Sequence, residues 1–218
     1  MNDVILVHGL YMNRWCMHWL QQQLRQQGHQ VHVFDYPTLR RPLAQQAADL
    51  AAFTRTHARS DVVHFVGHSL GGLLIRHLAA QAPELFSGHC VTLGTPHQGS
   101  QVAHWAYRWA PFSLGHSHQN GLDGQVPAWP QPCALGSIAG DKPIAIGTLV
   151  LPWQETHDGM VLLQETRIEG MADHIVQPTN HMGLLLHRDT ARQVAYFLTH
   201  GQFDHIHAPQ TTKIPYSR

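Results

Sequence analysis

The chain has 218 residues, 14 Lys and Arg against 14 Asp and Glu, and charged residues make up only 13% of it, about half the share usual in soluble domains. That balance builds no positive field of the kind nucleic acids or anionic membranes require, and the length suits one domain with a core that needs neither metal nor disulfides. Polarity comes instead from glutamine and 20 scattered histidines, while Cys16, Cys90 and Cys133 lack metal-ligand spacing and read as small apolar residues of a reducing compartment. Met1-Asn2-Asp3 leads into an apolar run with no basic segment before it; no signal peptide or transmembrane helix is expected, and the location expected is cytoplasmic.

Val4-Ile5-Leu6-Val7 has the continuous apolar character of a strand covered on both faces, and it runs directly into His8-Gly9-Leu10. Residues 14–27 follow as a helix with Trp15, Trp19, Leu20 and Leu24 near helical spacing and Gly28 as its stop. A second strand is expected over Val31 to Tyr36. Pro42 opens a helix over 42–58 whose inner stripe is Leu43, Ala47, Leu50, Ala51 and Thr54. The third strand, Asp61 to Val66, ends in Gly67-His68-Ser69-Leu70-Gly71-Gly72, and a helical pattern begins at once. In that strand–turn–helix setting a Gly-x-Ser-x-Gly motif exposes the serine on a sharp turn. Glycines two residues to either side avoid side-chain collisions at the turn.

His89 to Gly94 is a fourth strand. Residues 97–141 then lose the rhythm and gather Trp105, Tyr107, Trp109, Phe112 and Trp129, forming an excursion in which Val102, Trp105 and Trp109 share one face of a short helix. That face is expected either to be local packing of aromatics or to form a wall or small lid, with Trp105 and Trp109 touching substrate in the second case. A fifth strand is expected at Ile144 to Leu151, a less regular sixth within Ile168 to Val176, and a last helix with Ala191, Val194, Ala195 and Leu198 on one stripe. The alternation predicts an α/β fold, a doubly wound, mainly parallel sheet of about six strands with helices on both faces. Residues 1–200 form its single domain, and residues 201–218 are expected to be a loosely held tail.

Ligands of such sheets sit above the carboxyl ends of the strands, where Ser69, Asp158 and His181 all fall. A serine hydroxyl needs a base to take its proton, and the base needs a third group to orient it. His181, between the last strand and last helix, is the expected base, ahead of His174, which lies within a strand pattern. Asp158 is expected as the acid because it follows the fifth strand, whereas Asp141 would precede that strand at the opposite edge. The amides of Leu10 and Leu70 are the expected oxyanion hole. His116-Ser117-His118 lacks the carboxylate-and-histidine helix pattern of zinc hydrolases, so no metal and no cofactor are expected.

Taken with Gly94-Thr95-Pro96-His97-Gln98-Gly99-Ser100, Asp158-Gly159-Met160-Val161 and Asn180-His181, these motifs resemble the α/β-hydrolase family over residues 4 to about 200. Within it the chain is most similar to the small bacterial lipase-like and GPI-inositol-deacylase-like branch. The resemblance implies a minimal fold lacking the family's first two strands, without a large cap. It also implies a serine hydrolase of carboxylic esters acting through an acyl-enzyme on a small-molecule acyl ester, and the aromatic and apolar excursion suggests an acyl group of short to medium length. An acyltransferase, thioesterase or amidase would use the same residues, and a catalytically silent binding module is the reading from another class.

Overall fold

The computed structural model describes residues 2–143 and 154–206. Six strands form one sheet: β1 (Asp3–Val7), β2 (Gln30–Phe34), β3 (Val63–His68), β4 (Cys90–Leu93), β5 (Leu135–Gly140) and β6 (Asp173–Gln177). Their order is β2-β1-β3-β4-β5-β6, and every pair is parallel. Parallel neighbours cannot be joined by tight hairpins, so helices carry the chain back across the sheet.

Those helices are α1 (His18–Gln26), α2 (Leu43–His57), α3 (Leu70–Gln81), α4 (Gln101–Trp109), the single turn α5 (Pro111–Leu114) and α6 (Arg188–His200). Alternate residues of β1 serve opposite faces, as the two-residue period of a strand requires. Ile5 and Val7 pack with Leu43, Leu50, Leu73 and Leu74 of α2 and α3. Val4 and Leu6 pack with Leu20 and Leu24 of α1 and Val194 and Leu198 of α6. Among the described residues no helix is long and apolar enough to cross a membrane.

Three expectations change. The fifth strand expected at 144–151 lies outside the described residues; the strand between β4 and β6 is Leu135–Gly140, inside the stretch 97–141 read as an excursion. Its sequence, Leu-Gly-Ser-Ile-Ala-Gly, carries one β-branched residue and two glycines, so propensity does not mark it. Close packing does require those small residues, since a side chain on Gly136 would meet the Phe197 ring of α6 at 2.5 Å. Trp15, expected on the inner stripe of the first helix, is 72% exposed. Residues 14–17 form a 3-10 turn, capped by the Asn13 side chain, rather than the first α-turn. Finally, the start of the expected tail is held: Phe203 is buried, and the Asp204 amide donates to Gln193 Oε1 at 2.9 Å.

Candidate active site

Ser69 terminates β3 at φ 53° and ψ −121°, a backbone conformation few non-glycine residues adopt. The turn is tied down on both sides. The Ser69 amide donates to Leu93 O at 2.8 Å, and Thr95 Oγ1 donates to Ser69 O at 2.9 Å. The flanking glycines serve two different contacts. A side chain on Gly67 would strike Gly72 N across the turn at 2.6 Å, whereas one on Gly71 would strike Val7 O of the neighbouring strand at 2.2 Å.

His181 sits just past β6 in the turn before α6. Its Nδ1 lies 2.7 Å from Asp158 Oδ2, and its backbone amide donates to Asp158 O at 2.9 Å. A carboxylate only accepts, so Nδ1 carries a proton, and in the neutral imidazole Nε2 then holds the lone pair. The other carboxylate oxygen, Oδ1, takes the amides of Met160 and Val161 at 2.9 and 2.8 Å. Asp158 is almost completely buried, so these bonds replace its hydration. Gly94, at φ 56°, allows β4 to end against the pair: a side chain there would meet His181 Nδ1 at 2.9 Å.

Asp141 does not stand where the sequence reading put it. With β5 at 135–140, it follows that strand at the carboxyl end, on the same side of the sheet as Ser69. Contact, rather than topology, separates the two acids: Asp141 has Lys142 Nζ at 3.7 Å and a buried Oδ1 without a hydrogen-bond partner among the described residues. His174 lies in β6, where Nε2 meets Thr166 Oγ1 at 2.9 Å.

Ser69 and His181 line one cavity of about 340 Å³, together with Leu10, Met12, Val102, Ala103, Ala106, Leu114, Leu122, Met160 and Met182. Leu70 is the first residue of α3, so its amide belongs to those a helix leaves without an intrahelical partner. Trp105 and Trp109 do not line the cavity. They are 41% and 70% exposed, and of the face they share with Val102 only Val102 reaches the cavity. The helix turns its small residues inward, with Val102, Ala103 and Ala106 forming the wall.

Two residues of the site carry no signal beyond their motifs. His68 is buried beside His181, with ring centroids 4.7 Å apart, and its Nε2 is 3.0 Å from His181 O. Burial and then the neighbouring His181 hold it neutral, with a pKa pushed down to about 3. His8, also buried, sets the turn after β1. Its Nε2 meets Asp35 Oδ1 at 3.0 Å, its ring stacks on Tyr36, and Tyr36 Oη donates to His8 O at 2.9 Å.

Residues 4–211 match the model of the Alpha/beta hydrolase family. Triacylglycerol lipases of Pseudarthrobacter phenanthrenivorans and Burkholderia plantarii are each 36% identical over 118 residues, 46% of this chain. The chain covers about a third of the length of these curated relatives, 34% and 31%. Among solved structures, the mature lipase BlEst2 of Bacillus licheniformis shares the fold at a TM-score of 0.73 and 20% identity, covering 91% of each chain. An esterase of Thermogutta terrifontis does so at 0.65 and 13% identity, over 92% of this chain and 90% of that one.

Proposed function

The chain belongs to the alpha/beta hydrolase family, and on that premise we propose that it is a serine hydrolase of carboxylic esters. The observation that carries the reading is the 2.7 Å contact of His181 Nδ1 with Asp158 Oδ2 at the edge of a cavity that Ser69 shares. With Nδ1 protonated, His181 Nε2 takes the Ser69 proton as Oγ attacks the ester carbonyl. The tetrahedral oxygen is met by the Leu10 and Leu70 amides, the second aided by the positive end of α3. His181 returns the proton to the departing alcohol, and water activated by the same nitrogen then cleaves the acyl-enzyme. Asp158 keeps the imidazole in the correct tautomer and stabilises its cation, and its other oxygen is already occupied by the turn's amides.

The cavity's apolar lining supports an acyl group rather than a polar substrate. At about 340 Å³ it matches roughly ten water volumes, which suits a medium acyl chain. A panel of p-nitrophenyl esters from acetate to palmitate tests this. Hydrolysis by the wild type with a maximum at medium length, abolished in Ser69→Ala, is the expected result. Activity retained in Ser69→Ala would remove Ser69 from the reaction.

A further inference from the structure

One buried carboxylate at this end of the sheet has no part in the proposed reaction. Glu165 is only 5% exposed, and its two oxygens reach two different parts of the site. Oε1 accepts the amide of Gln101, the first residue of α4, at 2.8 Å, and Oε2 accepts the Leu162 amide at 3.0 Å on the turn that carries Asp158. Backbone contacts reinforce the same joint: Gln98 N donates to Glu165 O at 3.3 Å, and Gln98 Nε2 to Arg167 O at 3.2 Å. On one side of the joint α4 supplies Val102, Ala103 and Ala106 to the cavity wall. On the other, Met160 and Val161 line the same cavity while their amides hold Asp158 Oδ1.

We infer that Glu165 is a positioning and specificity-determining residue, a clasp that fixes the α4 wall against the turn bearing Asp158, so that acyl-chain fit and alignment of the His181–Asp158 pair are set together. This rests on the proposed roles of Ser69, His181 and Asp158. The choice of a carboxylate argues for more than packing. Burial, assisted by the nearby charges of Asp158 and Glu155, pushes Glu165 up to about 7, although the two amide bonds pull it down. Its folded value thus lies above the unfolded one, so its contribution to stability falls as pH rises from about 4.5 to about 7 and stays unfavourable above that. Yet the ionised form is the better partner for two N–H donors, because protonation turns one oxygen into a hydroxyl, a weaker acceptor than a carboxylate oxygen. Ionisation around pH 7 therefore strengthens the clasp. The ionisable groups around it are Glu155 and Asp158 on its own segment, with His104 of α4 and Asp123 across an adjoining cleft.

The test measures kcat/KM for p-nitrophenyl acetate and octanoate from pH 6 to 9 in the wild type, Glu165→Gln and Glu165→Ala, with Tm at pH 8. In the wild type the octanoate-to-acetate ratio should rise through about pH 7. Both variants should lose that rise. At pH 8 the ratio should fall about tenfold in Glu165→Ala and less in Glu165→Gln, which keeps one acceptor, and the Tm of Glu165→Gln should not drop. A flat ratio in the wild type overturns the clasp, and that measurement does not depend on how the variants fold. So does an unchanged ratio in Glu165→Gln accompanied by a lower Tm, the mark of a structural residue. Ser69→Ala, assayed alongside, separates the two levels: activity surviving there refutes the nucleophile, whereas its loss beside wild-type ratios in the Glu165 variants refutes the clasp alone.

Discussion

Ser69 is held in a backbone conformation that costs of order 1–3 kcal/mol, and strain of this kind persists only where surrounding bonds impose it. Here Leu93 O and Thr95 Oγ1 do so. The two acids differ by contact, and their variants should differ accordingly. Asp158→Asn should keep the fold and lower kcat by about 10²–10⁴-fold, because an amide at Oδ2 favours the wrong imidazole tautomer. Asp141→Asn, whose carboxylate has no bond to His181, should stay within about threefold of wild type, within the range of exposed or weakly coupled polar changes. Steady-state kinetics on one ester decides between them, and the reverse pattern would make Asp141 the orienting acid. Ser69 and His181 were legible because their places relative to strand ends follow from the alternating pattern. Nothing in the sequence marks Asp141 as following a strand, because Leu135–Gly140 lacks the β-branched run that would identify one. Glu165 was invisible: its partners, Gln101 and Leu162, are backbone donors brought together only by the fold.

The elements that defeated sequence reasoning did so for opposite reasons. β5 has the composition of a loop because α6 packs so closely against it that Gly136 leaves no room for a side chain. α4 has conspicuous aromatics at the right spacing for an inner stripe, yet its cavity face is built from Val102, Ala103 and Ala106. Small residues there leave volume for a ligand, which is why burial of the largest side chains was the wrong guide. Ala106→Leu should fill part of the cavity and lower octanoate kcat/KM about tenfold relative to acetate, the scale of one to three kcal/mol expected for a few methylenes in an apolar pocket. Trp109→Ala, on the exposed side, should leave that ratio within about twofold. If Trp109→Ala instead shifted the ratio and Ala106→Leu did not, the outer face of α4 would be the one that meets the acyl chain.

At the scale of the whole molecule, the histidines stand out: several are buried and neutral. His64 is pushed down to about 4 by burial and by neighbouring His29 and His89, His174 to about 4 by burial and Arg167, and His68 to about 3. Each folded value lies below the unfolded one of about 6.5, so the unfolded chain takes up protons that the fold refuses. Stability is therefore full above about pH 6.5 and is lost as pH falls toward 4. At pH 5 each of these three has cost about 2 kcal/mol. Glu165, with its raised value, is a single group working in the opposite direction. Asp3 adds a later loss. Burial alone would raise its carboxyl, but the amides of Ser60 and Arg59 and the side chains of His32 and Ser60 bring it to about 2. Its stabilisation is present above about pH 4 and disappears between there and pH 2. Tm should thus fall by about 10–20 °C between pH 7 and pH 5, and a melting temperature constant over that range would show that the buried histidines take up protons without unfolding. The same chain, intact, provides the most direct test of the central claim that Ser69 is the nucleophile of acyl transfer. Treated with a fluorophosphonate and weighed whole, it should gain one adduct, mapped to Ser69, with none gained by Ser69→Ala and little by His181→Ala. An adduct on Ser69→Ala, or on another residue of the wild type, would contradict it.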